Sequence, residues 1–241
     1  MPCPWPVGLE RDEENAVVYR VMIAEDSNAV LDSISVAFHE GEAISAAGGV
    51  TLEDHHKINE LFVRRMAGNG NCIVAVEMED PTVVLGAFLN EDFANPPPEG
   101  LEETLASLEG NMTPVMSTVE ELEGHLRQKY GLKDDLERGK VLHLWMLGVT
   151  TEARGRKIGQ KLAIHSIAWA KKQGFKIAFA EATGAASTHI LTKHGGQEVV
   201  HFIDYGVYEG PCQEQVRALP GQGHNGASLT VSDFRQKKKK T

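Results

Sequence analysis

The feature that most constrains this fold is a strand, a basic glycine-containing turn and a helix that follow one another between residues 140 and 174. Residues 140–150 (KVLHLWMLGVT) are rich in apolar side chains and predict a buried strand. Apolar residues at helical spacing begin at Ile158 and predict a helix that ends before Gly174. The first amides of a helix have no partner within it, so this turn predicts an anion-binding site.

Charge is distributed unevenly along the chain. The 241 residues carry a formal net charge of −10, so non-specific binding of nucleic acid is not expected. Residues 153–177 nevertheless contain seven Lys or Arg and no acid, whereas residues 91–138 contain 12 acidic and four basic residues. The basic segment surrounds the turn and favours an anion site there, although a solvated helix face has the same composition. The acidic segment suits a cationic ligand.

The remaining pattern predicts one α/β domain with a mixed sheet and helices on both faces. A hairpin in the first half predicts antiparallel strands, and strand–helix alternation in the second half predicts a parallel pair. Further strands are predicted at residues 17–24, 72–78, 82–90, 176–182, 197–208 and 227–231. We predict an N-terminal extension (1–16), a domain (17–210) with an acidic helical insertion (91–138), and a C-terminal extension (211–241) with a disordered lysine-rich end.

Composition excludes several classes of protein. No apolar run approaches the roughly 18 residues of a membrane span, and the start lacks the order of a secretory signal. Three cysteines lie far apart without a C-x-x-C pair, so neither a disulfide framework nor a metal site is predicted. These observations favour a reducing, cytoplasmic location and no membrane partner.

Residues 149–159 (VTTEARGRKIG) resemble the acyl-CoA pyrophosphate loop of the GNAT superfamily of N-acyltransferases, V-x-P-x-x-R-G-x-G-I-G. Arg154, Ile158 and Gly159 match this loop, whereas Lys157 stands where the family usually has its first glycine. The order of elements from residue 17 to 208 is similar too. The resemblance implies the GNAT fold, with a splayed parallel strand pair, and acetyl-CoA as cofactor. The cofactor-binding residues it implies are Leu147, Gly148, Val149, Arg154, Gly155, Arg156, Lys157, Ile158, Gly159, Gln160 and Ser187.

Four further segments resemble the insect-type arylalkylamine N-acetyltransferases within this superfamily. They are residues 86–90 (GAFLN), 182–187 (ATGAAS), 193–196 (KHGG) and 38–44 (FHEGEAI). The last is similar to the F-x-x-[DE]-E-P-L segment of that branch, with Ala43 in place of the proline. The resemblance places Glu42 at the catalytic base position, and Glu40 and Glu181 remain alternatives.

Two other residues are candidates for catalysis. Ser187 matches a serine of the insect-type branch and is expected near the sulfur of coenzyme A; its alternative role is a helix N-cap. Strand alternation places His143 on the face of Trp145, Leu147 and Val149, where it either relays a proton or is a hydrogen-bonded core histidine. Trp145, Phe38 and Phe93 are candidate aromatic contacts for the substrate.

Together these features predict an N-acetyltransferase that moves acetyl from acetyl-CoA to a small primary amine by direct attack in a ternary complex. One alternative is an enzyme that acetylates lysine side chains or protein N-termini, which needs an open groove. The other is a GNAT-fold protein that binds coenzyme A without turnover, because Lys157 replaces a glycine and Leu191 stands where many members have a tyrosine. The sequence does not choose between a monomer and a dimer.

Overall fold

The computed structural model describes residues 8–108 and 110–235, built around one eight-stranded mixed sheet. The spatial order of its strands is β1-β2-β3-β4-β5-β6-β8-β7, and only β5 and β6 pair in parallel. Its strands are β1 (Gly8–Asp12), β2 (Val17–Val21), β3 (Ile73–Glu77), β4 (Val84–Asp92), β5 (Val141–Val149), β6 (Ile177–Ala182), β7 (Glu198–Asp204) and β8 (Gly226–Asp233). The predicted mixed sheet with a parallel pair is confirmed.

Helices cover both faces of this sheet. They are α1 (Ser27–Gly41), α2 (Ala43–Gly48), α3 (Leu52–Met66), α4 (Leu101–Ser107), α5 (Thr113–Tyr130), α6 (Ile158–Gln173), α7 (Ala185–His189) and α8 (Gln213–Arg217). Helix α6 packs on one face, and α1, α3 and α5 pack on the other. The acidic insertion is helical as predicted, in α4 and α5. No helix in the described ranges is long and apolar enough to cross a bilayer.

The sheet extends beyond both predicted boundaries of the domain. Strand β1 lies within the predicted N-terminal extension and pairs with β2. Strand β8 lies within the predicted C-terminal extension, yet it pairs with both β6 and β7 and so sits inside the sheet. Boundaries at residues 17 and 210 therefore do not delimit the sheet, because long-range strand pairing leaves no local mark in the sequence. The lysine-rich end lies outside the described residues.

A side chain caps α3, whereas α1 has no side-chain cap. Thr51 caps α3: its hydroxyl accepts from the Asp54 amide, and Asp54 accepts from the Thr51 amide. Asp26 precedes α1 but makes no side-chain cap. Its carboxylate instead accepts two hydrogen bonds from the buried Arg20 guanidinium, at 2.6 and 2.8 Å. A bidentate charged pair satisfies both buried groups and outweighs a neutral cap.

A β-bulge in β5 overturns the predicted alternation of its side chains. Leu89 of β4 faces Met146 and Asn90 faces Leu144, so Trp145 is the extra residue. Before the bulge, His143 lies on the α3–α5 face, where its ring stacks on Phe179 at 4.4 Å.

After the bulge, Leu147 and Val149 pack with α6 on the opposite face. The expectation that His143 and Trp145 share a face with Leu147 and Val149 is therefore wrong, because one inserted residue reverses the alternation.

Strands β5 and β6 separate soon after they meet. Their pairing covers Val141–Ile177, Leu142–Ala178 and His143–Phe179, while β5 continues to Val149 along β4. The backbone groups of β5 after His143 that point toward β6 consequently have no strand partner. Helix α1 closes one side of the gap at Gly148, where a Cβ atom would lie 2.8 Å from Ile34 Cδ1 and 3.1 Å from Ala37 Cβ.

We expect Gly148→Ala to lower the free energy of unfolding by about 1–3 kcal/mol, because the added methyl group forces α1 away from β5. Gly124, at an exposed position of α5, is the matched control, since a Cβ there meets no atom within 4 Å. Gly124→Ala should raise stability by about 0.5–1 kcal/mol through helix propensity. Urea unfolding measures both changes, and equal effects would contradict the close approach at Gly148.

Candidate active site

A cavity of about 500 Å³ opens where β5 and β6 diverge. Its walls come from α1, α3, α5, the start of α6 and the segment after β6. Because the two strands stop pairing, the cavity runs between them and joins the basic turn at one end to the helical insertion at the other. The fold thus places both unusual charge segments of the sequence on one cavity.

Most of the predicted cofactor-binding residues line this cavity. They are Leu147, Gly148, Val149, Arg154, Gly155, Lys157, Ile158, Gly159, Gln160 and Ser187. Arg156 does not line it: its guanidinium donates to Glu77 Oε1 at 3.0 Å and to the Asn15 carbonyl at 2.6 Å. The turn directs this one side chain toward the β1–β2 hairpin, so Arg156 serves the sheet rather than the cavity.

The turn before α6 exposes a group of backbone amides. In the described chain, the amides of Gly155 and of residues 157–160 donate to no protein acceptor. Gly155 has φ +86° and Lys157 has φ +61°, so both adopt the left-handed conformation. Lys157 therefore keeps the backbone geometry that a glycine takes without strain. The free amides, at the positive end of the α6 dipole, form an anion cradle.

Glu40 belongs to this turn and not to the cavity wall. Its carboxylate accepts from Thr151 Oγ1 at 2.5 Å and pairs with the Arg154 guanidinium at 3.1 Å. The side chains of Glu40 and Arg154 are 41% and 45% exposed. Of the three carboxylates considered as a base, Glu42 and Glu181 line the cavity and Glu40 does not.

Glu42 lies in the extended link between α1 and α2, where it caps α2. Its Oε2 accepts from the Ser45 amide at 2.5 Å, and its Oε1 is buried. Burial raises the pKa of this carboxyl above its usual value, although hydrogen bonds from Thr183 and Ser45 oppose the shift. A buried carboxylate with a raised pKa accepts a proton more readily than an exposed one.

His143 and Glu181 form a buried pair beside the cavity. His143 Nε2 lies 2.6 Å from Glu181 Oε2, and the two side chains are only 5% and 3% exposed. His143 does not line the cavity, whereas Glu181 does, and Glu181 Oε1 is buried without a hydrogen-bond partner. The structure thus makes His143 a hydrogen-bonded core histidine, behind Glu181.

The charges around this pair shift neighbouring pKa values. Burial lowers the pKa of His143, but the carboxylates of Glu181, Glu123 and Glu91 outweigh it and the net shift is upward. Burial and the nearby Glu181 raise the pKa of Glu123, on α5, to about 7. Of these carboxyls only Glu181 lines the cavity, and its charge makes that end favourable for a cation.

Ser187 lines the cavity from the first turn of α7, but it is not the N-cap. Gly184 takes that position, and Ser187 Oγ donates to the Gly184 carbonyl at 3.0 Å. The predicted N-cap role is wrong because α7 begins two residues earlier than Ser187. Leu191 follows in a short π-helical turn and is buried against the same cavity.

Sequence analysis missed the α2 and α5 contributions to the wall. His55 Nε2 lies 3.2 Å from Ser45 Oγ, and burial together with His39 lowers the pKa of His55 to about 4. Phe38 and Trp145 line the cavity as expected, whereas Phe93 instead packs against His143. Only the apolar spacing within α5 could have indicated Val115, Met116 and Val119, and nothing in the sequence located the cavity they face.

Comparisons with known proteins agree with this geometry. Residues 90–195 match a family model described as the acetyltransferase (GNAT) family. No curated protein sequence is significantly similar to the chain.

Several solved structures share the fold. Arylalkylamine N-acetyltransferase 2 from Aedes aegypti is 18% identical, with a TM-score of 0.69 over 90% of this chain and 99% of that chain. A putative arylalkylamine N-acetyltransferase 7 from the yellow fever mosquito is 14% identical, with a TM-score of 0.72 over 97% of each chain. The Drosophila melanogaster polyamine N-acetyltransferase, which forms N-acetylagmatine, is 17% identical, with a TM-score of 0.66 over 90% and 99%.

The predicted likeness to insect arylalkylamine N-acetyltransferases is confirmed for the fold, and these identities say nothing of the substrate. The match over residues 90–195 covers β5, the basic turn and α6, the elements that build the anion cradle. Residues 90–195 therefore resemble the acetyltransferase (GNAT) family, and the chain has the fold that these N-acetyltransferases share.

Proposed function

We propose that this protein is an acetyl-CoA-dependent N-acetyltransferase that acetylates a small primary amine, of the arylalkylamine or polyamine type, by direct attack in a ternary complex. One observation carries the proposal: a single cavity joins an anion cradle to a buried carboxylate, Glu42, and ends in an acidic, largely apolar chamber. The three parts match the three needs of the reaction, which are to hold the acyl donor, to take a proton from the amine and to attract a cation.

The turn residues suit the diphosphate of coenzyme A. Acetyl-CoA supplies an acetyl group activated as a thioester. The amides of Gly155 and residues 157–160 would hold its phosphates, and Arg154 and Lys157 add full positive charges. Arg156 has no part in this proposal, because its guanidinium is held by Glu77 and Asn15.

The gap between β5 and β6 suits the acyl group. The Thr150 amide donates to Leu85 on β4, so by strand alternation the amides of Leu147 and Val149 point toward the gap. These amides are our candidates for donors to the acyl oxygen as it gains negative charge. One such donor is worth roughly a hundred- to thousandfold in rate. Ser187, across the gap, is our candidate for contact with the sulfur.

Glu42 is our candidate for the general base. An amine with a pKa near 10.4 is only about 0.1% neutral at pH 7.4, a handicap of about 4 kcal/mol. A carboxylate in the cavity removes this handicap by accepting the proton, directly or through a water molecule. Glu42 fits this role better than Glu40, which is bound to Arg154 and Thr151 outside the cavity.

The far end of the cavity suits a small amine. Phe38, Phe62 and Trp145 give it an aromatic lining, and the unpartnered Oε1 of Glu181 gives it a buried negative charge. Helix α5 covers this end with Val115, Met116 and Val119, together with Met112 just before it. A polypeptide substrate would need an open groove, so this cover favours a small molecule over a protein lysine or N-terminus.

An assay of thiol release from acetyl-CoA tests the proposal with an arylalkylamine, a polyamine and a lysine-containing peptide as acceptors. We expect turnover with one or both small amines and at least about tenfold lower kcat/KM with the peptide, because α5 obstructs a chain. Preferred turnover of the peptide would contradict the small-amine proposal. Tight binding of coenzyme A without turnover of any amine would favour the alternative of a non-catalytic binding protein.

We expect Glu42→Gln to lower kcat by about 100- to 10,000-fold near neutral pH, since the amide cannot accept a proton. Glu42 acts only when deprotonated, so kcat/KM of the wild type should fall as the pH drops through its raised pKa. This fall in kcat/KM at low pH, the acidic limb of the pH profile, should be absent in Glu42→Gln. The matched variant is Glu40→Gln, which should change KM for acetyl-CoA and keep the limb. A limb that disappears in Glu40→Gln would transfer the base role to Glu40.

We expect the Lys157→Gly variant to be more stable than Lys157→Ala, with a free energy of unfolding about 1 kcal/mol higher. The reason is that glycine adopts φ +61° without strain. Both variants lose the lysine charge and should bind coenzyme A more weakly than the wild type. Lys171, exposed within α6, is the control position. There the order should reverse, with glycine about 1 kcal/mol less stable than alanine. The same order at both positions, measured by urea unfolding, would contradict the strained turn.

A further inference from the structure

Two histidines and a glutamate meet on the outer side of α5, away from the cavity. Glu121 and His125 lie one turn apart on α5, and His201 faces them from β7. Their potential ligand atoms all lie within 4.8 Å of one another. The two imidazole rings are stacked, with centroids 3.5 Å apart and an angle of 20° between their planes.

The two imidazoles of this group are free of the hydrogen bonds that hold several other histidines of the described chain. His55, His56, His143 and His165 each lie within hydrogen-bond distance of a hydroxyl or carboxylate. Within the described ranges, no side-chain hydrogen bond is made by His125 or His201. Both rings are half-buried, so their nitrogen lone pairs are uncommitted yet accessible.

We propose that Glu121, His125 and His201 bind a divalent transition-metal ion of the Zn²⁺ class. Two imidazole nitrogens and one carboxylate oxygen are a ligand set that Zn²⁺ uses, with a water molecule in the fourth position. Nitrogen ligands favour Zn²⁺, Co²⁺, Ni²⁺ or Cu²⁺ over Mg²⁺ or Ca²⁺. The donor atoms already lie within 4.8 Å of one another, and binding would require the stacked rings to turn so that their lone pairs point to one ion.

A second group, Glu123, His143 and Glu181, also brings three potential ligands together, but it favours a metal less. There His143 Nε2 already shares a 2.6 Å hydrogen bond with Glu181, and a metal would have to break it. The outer group loses no hydrogen bond on binding. Its residues also line no part of the cavity, so the proposal is independent of the proposed function.

A metal here would cross-link the insertion to the sheet. His125 and His201 are far apart in sequence, and α5 makes few contacts with β7. An ion that binds the folded state and not the unfolded chain stabilises the folded state, by an amount that grows with the logarithm of the ion concentration above Kd. Since Val115, Met116 and Val119 of α5 line the cavity, such a link would also fix the wall that covers the amine end.

The test uses the full chain without a histidine tag, freed of metal with EDTA. Calorimetric titration with Zn²⁺ measures affinity, thermal unfolding measures stabilisation, and Co²⁺ gives a visible spectrum that reports nitrogen and oxygen ligands. We expect one Zn²⁺ per chain, a rise in Tm, and no comparable response to Mg²⁺.

His125→Gln and His201→Gln should each weaken Zn²⁺ binding at least about tenfold and abolish the rise in Tm. His56→Ala is the matched control, because His56 is exposed and pairs with Asp32 without a second imidazole. It should bind Zn²⁺ as the wild type does. Far-UV circular dichroism in EDTA verifies that each variant is folded, and either glutamine variant suffices if the other unfolds.

Two outcomes would overturn the proposal. One is the absence of Zn²⁺ binding at concentrations up to about 100 µM, which corresponds to about 5.5 kcal/mol of binding free energy. The other is binding that survives in both glutamine variants, which would place the ion elsewhere on the chain.

Discussion

The separation of β5 from β6 is the constraint on which the rest of the site depends. Three residue pairs hold the strands together, and beyond His143 they diverge. Divergence leaves backbone amides of β5 without partners, a cost that a folded protein normally avoids. Three features maintain the gap: the bulge at Trp145, the close contact of α1 with Gly148, and the pairing of β5 with β4 on its other side. The cavity exists because these contacts prevent the parallel ladder from continuing.

Electrostatics divides the cavity into two ends. The basic turn and the α6 dipole make one end positive, although Glu40 already neutralises part of Arg154. At the other end, Glu181 lines the cavity and Glu123 lies near it, where burial and then the charge of Glu181 raise the pKa of Glu123 to about 7. A donor with a phosphorylated tail and a cationic acceptor would each be drawn to a different end.

Lys157 shows how a departure from a family pattern is accommodated. A lysine in the left-handed conformation costs about 1–2 kcal/mol relative to glycine, but the backbone at this position still turns as a glycine would. The amides that follow therefore remain free to bind an anion. The departure changes the stability of the turn and adds a charge at the cavity mouth, while the left-handed backbone conformation is kept.

Local patterns in the sequence determined the elements and the cofactor end of the site. Most strands and helices follow from apolar periodicity. Ten of the eleven predicted cofactor-binding residues line the cavity, nine of them within one continuous strand–turn–helix and Ser187 on α7. Arg156 is the exception, since a turn does not reveal which side chains point inward. Tertiary structure decided the rest. A single inserted residue at Trp145 reversed the faces of β5, and pairing with distant strands brought β1 and β8 into the sheet. The choice of Glu42 over Glu40 and the meeting of His125 with His201 depend on contacts between residues far apart in the chain, which sequence periodicity does not encode.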